Sequence, residues 1–362
     1  MSADGDGRLR EQVRALADEI AAVSDRPARL MEVCGTHSHA VARYGLRQLL
    51  PEQLDLLSGP GCPVCVTPTG QVDAAIELAR MPDVTIATFG DMIRVPGSDS
   101  TLAEERARGA SIRIIFSPME AVDLAKNGEQ VVLLGVGFDT TAPGVAVAVA
   151  EAKRRDLKTF SILCAHKLLI PALDVLLDSP DVAVDGLIGP GHVSAIIGAD
   201  AYRPAVERFH IPCVMAGFEP ADILRAILAL VTQLRDDVAE VGNEYRRVVT
   251  DEGNTRAVAA IYEVFEACDS EWRGIGVIPG AGLRLRPEYA DLDALTRYGV
   301  QLHEGRDDPR CRCGEVLRGA IRPEQCGAFG RACVPEHPLG PCMVSSEGAC
   351  AAVYKYRLMD ES

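Results

Sequence analysis

The sequence predicts an α/β fold: two related parallel-sheet α/β domains followed by a small cysteine-rich iron-sulfur domain. Three observations lead there. Short apolar runs alternate with stretches of three-to-four apolar spacing, the grammar of strands crossing over through helices. A Gly-Pro-Gly turn closes an apolar run twice, at 59–61 and at 189–191. Six of the twelve cysteines fall within residues 311–350, among turn-forming Gly and Pro.

Length and composition bound the rest. A chain of 362 residues exceeds the size at which one core keeps growing, and 48% hydrophobic residues can fill more than one. The expected domains are 1–118, 119–300, with part of 222–300 free to pack on the first, and 301–362. A net charge of −15 repels phosphate backbones and argues against nucleic acid as a partner. The start of the chain, MSADGDGRLREQVRALADEI, has no basic segment leading into an apolar one, and no run of eighteen apolar residues occurs. A cytoplasmic protein with no membrane partner is therefore expected, and in that compartment dense cysteines point to metal or redox chemistry rather than structural disulfides.

The elements follow in order. Leu9, Val13, Leu16, Ile20 and Val23 predict an amphipathic helix over 8–24. The run at 28–33 reads as a strand that stops at Cys34-Gly35-Thr36-His37, with Ser38 and His39 next and a helical pattern through Leu50. The run at 54–59 repeats this, breaking at Pro60-Gly61 before Cys62-Pro63-Val64-Cys65; strands at 84–90 and 111–117 complete the first domain. Residues 130–138 begin the second as a strand ending in Asp139-Thr140-Thr141, and 160–166 and 185–190 supply further strands. Helices are expected from Ala221 to about Val249 and from Thr255 to Ala267, then extended chain around a turn at 272–287.

Function in open parallel sheets collects at the carboxyl ends of strands, and Cys34 and the Cys62/Cys65 pair each follow a strand directly. Cys62-x-x-Cys65 brings two sulfurs together across one turn, as a redox dithiol or half of a metal site; a position before a helix lowers a thiol pKa. Cys34 with His37 offers a thiolate and an imidazole that can share a metal or a proton. His39 is as readily a surface or capping histidine. Asp139, Thr140 and Thr141 offer a carboxylate and two hydroxyls at a helix start, fit for an anion or for capping, and His192 beside Gly189–Gly191 carries the same ambiguity. Cys164, Cys213 and Cys268 sit in apolar surroundings and read as buried hydrophobes.

The tail spacing, C-x-C-x12-C-x6-C-x8-C-x7-C, lacks the paired CxxC knuckles that a tetrahedral zinc site favours. Four spaced cysteines plus a leftover pair better suit an iron-sulfur cluster beside a redox disulfide. Arg306, Arg310, Arg312, Arg318, Arg322 and Arg331 lie in or near it, either offsetting thiolate charge or as solvated surface arginines.

Taken together, CGTHSH at 34–39, GPGCPVCVTP at 59–68, GFDTTAP at 137–143, GPGHV at 189–193 and the cysteine-anchored stretch 326–352 closely resemble the HypD family of hydrogenase maturation proteins. Asp139 stands where that family more usually has Glu. The resemblance implies two α/β domains and a third bearing a [4Fe-4S] cluster. It further implies a scaffold on which the Fe(CN)2CO unit of [NiFe] hydrogenase is assembled as transient cargo, in complex with the small chaperone HypC. Cyanide would come through HypE from carbamoyl phosphate processed by HypF, and the hydrogenase large subunit would receive the product. On this resemblance Cys34, Cys65 and Cys62 would bind the iron and His37 would orient or deprotonate. The tail is similar to ferredoxin:thioredoxin reductase, which implies Cys311, Cys326, Cys333 and Cys350 as cluster ligands and Cys313 with Cys342 as the redox pair, although spacing leaves Cys313 or Cys342 open as ligands instead. The competing class is a stand-alone iron-sulfur disulfide oxidoreductase, which has no need of a third thiol flanked by histidines.

Overall fold

The computed structural model describes residues 3–360. Eleven strands form among them: β1 (Ala28–Glu32), β2 (Leu54–Ser58), β3 (Val84–Thr88), β4 (Ser111–Ile114), β5 (Gln130–Gly137), β6 (Phe160–His166), β7 (Gly186–Pro190), β8 (Cys213–Ala216), β9 (Val241–Asn243), β10 (Phe265–Trp272) and β11 (Gly276–Leu285). They build a five-stranded parallel sheet in the order β2-β1-β7-β8-β9, a four-stranded parallel sheet in the order β4-β3-β5-β6, and an antiparallel hairpin of β10 and β11. The α/β class with a cysteine-rich carboxyl end is as the sequence predicts.

The strand pairing groups residues differently from a boundary at 118/119. After β2 the chain leaves the first sheet through the helices Pro63–Val66 and Thr69–Ala79 and builds the whole second sheet, β3 to β6. It then returns, and β7 slots against the free edge of β1. The first sheet thus draws on residues 28–58 and 186–243, while the second is one continuous stretch, 84–166. β1 is covered on both edges, with Leu30 and Met31 fully buried, as the near-continuous apolar run of an inner parallel strand requires. The two Gly-Pro-Gly turns end β2 and β7 on either side of β1, so both belong to one sheet.

Helix limits follow local chemistry. Ser117 and Thr101 start their helices with capping boxes closed by Glu120 and Glu104. The helix expected to reach Val249 ends at Arg235, because Asp237 adopts a left-handed conformation (φ 54°) that turns the chain toward β9. The next helix ends at Val264, and residues 265–272 are extended because they pair with β11. The helices Ala3–Val23 and Pro220–Arg235 lie together on the first sheet, burying Ile20, Ile223, Ile227 and Leu230. The last helix, Ala349–Asp360, lies on Gly35–Arg43, where Tyr356 Oη contacts His39 Nε2 at 3.1 Å.

What positions the site is the meeting of the first two strand ends. Gly35 N–H donates to Gly61 O at 2.9 Å, and a Cβ on Gly61 would fall on the backbone N and Cα of Cys34. Gly61→Ala should therefore cost about 1–3 kcal/mol of stability by overpacking against unyielding backbone. Gly144→Ala, whose new methyl meets only Pro118 at 3.8 Å within a helix, should be neutral or slightly stabilising. Thermal unfolding of the two variants checks the contrast.

Candidate functional site

Cys34 leaves β1 in extended conformation (φ −144°, ψ 125°) and caps the helix Gly35–Arg43. Amides of Thr36 and His37 reach its sulfur, which favours a thiolate, but burial and the neighbouring Glu347 carboxylate outweigh them and push the thiol up to about 12. In this state Cys34 is a protonated thiol.

His37 is fully buried, and its Nε2 faces Gly217 O at 2.9 Å and Ala216 O at 3.3 Å. Burial lowers its pKa to about 4, so it is neutral at pH 7 and donates from Nε2, while Nδ1 is buried with no hydrogen-bond partner. The ring thus holds the loop after β8; the expected proton exchange with Cys34 is not among its hydrogen bonds. His39 binds Ser346 O at 3.1 Å through Nδ1 and serves the docking of the last helix.

Cys62 caps the short helix Pro63–Val66, which Pro63 starts at its first position. Cys62 and Cys65 are joined in a disulfide with Cα atoms 5.2 Å apart. Although 28 residues separate them in sequence, the Cys62 turn lies directly on the Cys34 turn: a Cβ on Gly35 would come within 3.2 Å of Cys62 Cβ. Among the described residues no three His, Cys, Asp or Glu side chains are arranged to hold a single metal ion. With Cys62 and Cys65 joined, Cys34 is the one free thiol on these two turns.

Around these sulfurs, Thr36 Oγ1 donates to Glu347 Oε1 at 2.7 Å and lies 3.4 Å from His192 Nδ1. His192 stacks on Phe218 (ring centroids 4.1 Å), and Phe218 stacks on His37 (4.9 Å). The Gly189–Gly191 turn therefore does bring His192 to the Cys34 turn. Glu347, Phe218 and Asp222, whose carboxylate receives Arg225 and Arg247 behind that loop, carry no spacing or motif that a single sequence could reveal.

Asp139, Thr140 and Thr141 are used otherwise. Asp139 is buried and its Oδ2 accepts from Leu169 N–H at 3.4 Å, at the start of the helix Leu169–Asp178. Thr141 Oγ1 donates to Phe138 O at 3.3 Å. Asp139 thus serves the start of a helix and Thr141 a local turn at the end of β5, and among the described residues no hydrogen bond joins the three residues to the thiols. Burial pushes the Asp139 carboxyl up to about 6.

All six tail cysteines line one small cavity. Its other walls are mainly Val316, Ala328, Phe329, Gly340 and Met343, with Arg312 at the side, and no carboxylate or imidazole lines it. An all-thiol, otherwise apolar lining has the donor chemistry that an iron-sulfur cluster takes. Sγ atoms of Cys313 and Cys342 are 2.6 Å apart. The Cys313 thiol is pushed down by hydrogen bonds from Cys311 and Cys342 and by the charge of Arg273, while Cys311 and Cys342 are pushed up. Most tail arginines are spent on surface carboxylates, Arg306 on Asp99, Arg310 on Asp308, Arg312 on Glu315 and Arg322 on Asp55, so they are worth little individually. The buried cation comes instead from Arg273, after β10, which donates from Nε to Thr67 O at 2.9 Å. The helix Pro63–Val66 packs on the turn Pro341–Met343, so the Cys62–Cys65 disulfide and Cys342 ride on touching elements. Of the three cysteines expected to be buried hydrophobes, Cys213 is buried, while Cys164, whose thiol donates to Leu283 O at 3.2 Å, and Cys268 are partly exposed.

The family model described as HypD, hydrogenase formation hypA family, matches residues 11–357. The chain is 48% identical over 355 residues to the hydrogenase maturation factor HypD of Escherichia coli (strain K12), covering 97% of this chain and 95% of that one. It is 48% identical to the factor of the same name from Azotobacter vinelandii (95% and 93% covered) and 44% identical to that of Rhodobacter capsulatus (96% and 94%). No helix is long and apolar enough to cross a membrane among the described residues.

Asp139 generates a pH prediction. Its carboxyl titrates near 6 when folded against 3.8 as an unperturbed group, so its favourable contribution is complete below about pH 4 and is lost as pH rises through 6. Asp139→Asn keeps the acceptor for Leu169 and removes the buried charge. The variant should be more stable at pH 7 by about 1–3 kcal/mol and equal to the parent near pH 4. Urea unfolding at the two pH values measures it; equal stability at pH 7 would show the charge to be compensated.

Proposed function

The chain belongs to the HypD family of hydrogenase maturation factors, which gives it partners in hydrogenase maturation; on that premise we propose that it is the scaffold on which the Fe(CN)2CO unit of [NiFe] hydrogenase is assembled. The observation that carries this reading is the gathering of Cys34, Cys62 and Cys65 on two interlocked turns at the carboxyl edge of the first sheet. Soft thiolates suit a low-valent iron carrying strong-field ligands. The partners are a HypC-type chaperone that shares the iron, HypE delivering cyanide made with HypF, and the hydrogenase large subunit as recipient.

The substrate iron cannot be held by all three sulfurs while Cys62 and Cys65 are joined. Reduction comes first: the Cys313/Cys342 dithiol closes to a disulfide as the Cys62–Cys65 disulfide opens to a dithiol, so two electrons and two protons pass from tail to turn. The contact of Pro63–Val66 with Pro341–Met343 and the closeness of the Cys313 and Cys342 sulfurs support this exchange. A [4Fe-4S] cluster held by Cys311, Cys326, Cys333 and Cys350 would supply single electrons to restore the tail dithiol. Cys34, freed from competition with a closed disulfide, then gives up its proton as it binds iron, since burial and Glu347 keep it a thiol beforehand. His37 shapes the loop beside the iron rather than taking that proton.

Two experiments test the reading. Cys34→Ala should abolish iron-cyanide infrared bands in the anaerobic complex with HypC, and their persistence would remove Cys34 from the ligand set. Cys311→Ser should lose the brown visible absorbance of the cluster while Cys313→Ser keeps it; the reverse pattern exchanges the roles of the two tail cysteines.

A further inference from the structure

The site as folded poses a problem of access. Cys34 is 6% exposed and the Cys62 and Cys65 side chains 2% and 0%, so no iron unit reaches these sulfurs unless something moves. The segment that lies on them is short. Glu347 packs so tightly on the Cys34 turn that a Cβ on Gly35 would come within 2.5 Å of Glu347 O and 2.6 Å of its Cβ. The Glu347 side chain is pinned by Thr36 at 2.7 Å, and its amide donates to Ser345 Oγ at 3.2 Å.

Ser345, in the tail, in turn reaches the element that follows the second sheet's β3. Its hydroxyl, almost fully buried, donates to Asp91 Oδ2 at 2.9 Å. Asp91 stands in the short helical turn Gly90–Arg94, just past the end of β3 in the second sheet. Among the described residues it forms no other side-chain hydrogen bond or ion pair, and the same turn is tied to the tail once more by Arg94 Nη1 donating to Pro335 O at 3.2 Å.

We infer that residues 345–348 are a cover over the Cys34 turn and that Asp91 is its latch, a positioning residue that acts on Cys34 only through Ser345 and Glu347. The cover is also held by His39 on Ser346 O and by Thr36 on Glu347, and the Asp91 link is the one that ties it to the turn after β3; losing that link lowers the cost of opening by about 1 kcal/mol without unfolding either sheet. Its two ends continue into Cys342 and Cys350, which line the tail cavity, so a change of sulfur bonding there pulls directly on the cover. The inference rests on the reading of Cys34 as the iron-binding thiol, but its test uses no iron.

The test is alkylation of Cys34 by iodoacetamide in the anaerobic full-length chain, without reductant so that Cys62 and Cys65 stay paired, followed peptide by peptide by mass spectrometry. Asp91→Ala and Ser345→Ala should each raise the Cys34 rate roughly fivefold, the effect of losing one typical hydrogen bond. The double variant should rise no further, since both changes break the same link. Asp91→Asn, which keeps an acceptor oxygen, should retain the parent rate. Cys213, buried in β8, is the internal control. An unchanged Cys34 rate, additive rises, or a parallel rise at Cys213 would each overturn the latch. A failure here leaves the infrared test of Cys34 as a ligand untouched, and loss of that ligand role leaves the alkylation result standing.

Discussion

Everything at the site depends on two backbones touching without side chains between them. Gly35 and Gly61 let the turn after β1 and the turn after β2 close onto each other through one amide-carbonyl hydrogen bond of 2.9 Å. Because adjacent parallel strands end side by side, the cysteines next to the two glycines, Cys34 before Gly35 and Cys62 after Gly61, are delivered to the same place. A side chain at Gly61 would collide with the Cys34 backbone, and one at Gly35 would push on Cys62 and lift the tail segment at Glu347. The sulfur chemistry is thus a consequence of strand adjacency and of two missing methyl groups.

Electrostatics sets the resting state. Amides at a helix start favour a thiolate, yet Cys34 is held protonated because desolvation and the Glu347 charge act in the opposite sense and are larger. Cys62 and Cys65 are tied up with each other. A thiol and a disulfide are both poor ligands for metal ions, so as folded these sulfurs are held in their unreactive forms. In the tail the balance tips the other way for one sulfur, Cys313, because Cys311, Cys342 and the buried Arg273 all favour its charged form.

Much of this was legible in the sequence. Strand ends followed by Cys34-Gly35-Thr36-His37 and by Cys62-Pro63-Val64-Cys65 announce the site, since apolar runs broken by turn residues mark where parallel strands finish. The clustering of Cys311, Cys313, Cys326, Cys333, Cys342 and Cys350 in one cavity follows from their density. The neighbour of β1 was not legible, because an apolar run states that a strand is buried and says nothing of which strand lies beside it. The same holds for Glu347, Arg273 and Asp91, whose meaning comes from partners 254 to 311 residues away in the case of the Asp91 and Glu347 hydrogen bonds. Asp139 and His37 show the opposite error, residues of reactive type that the fold spends on helix capping and on a loop carbonyl.

The return of the chain to β1 has a further meaning in time. β1 and β2 emerge early in synthesis, but the edge of β1 is filled only by β7, after residues 84–166 have been made. The second sheet, being one continuous stretch with short connections, is the part suited to fold first, while the first must wait for pairings across more than 150 residues. Until then the thiols of Cys34, Cys62 and Cys65 belong to an unfinished edge, open to solvent and to one another. The tail segment around Glu347, made after both sheets, is what closes over these sulfurs.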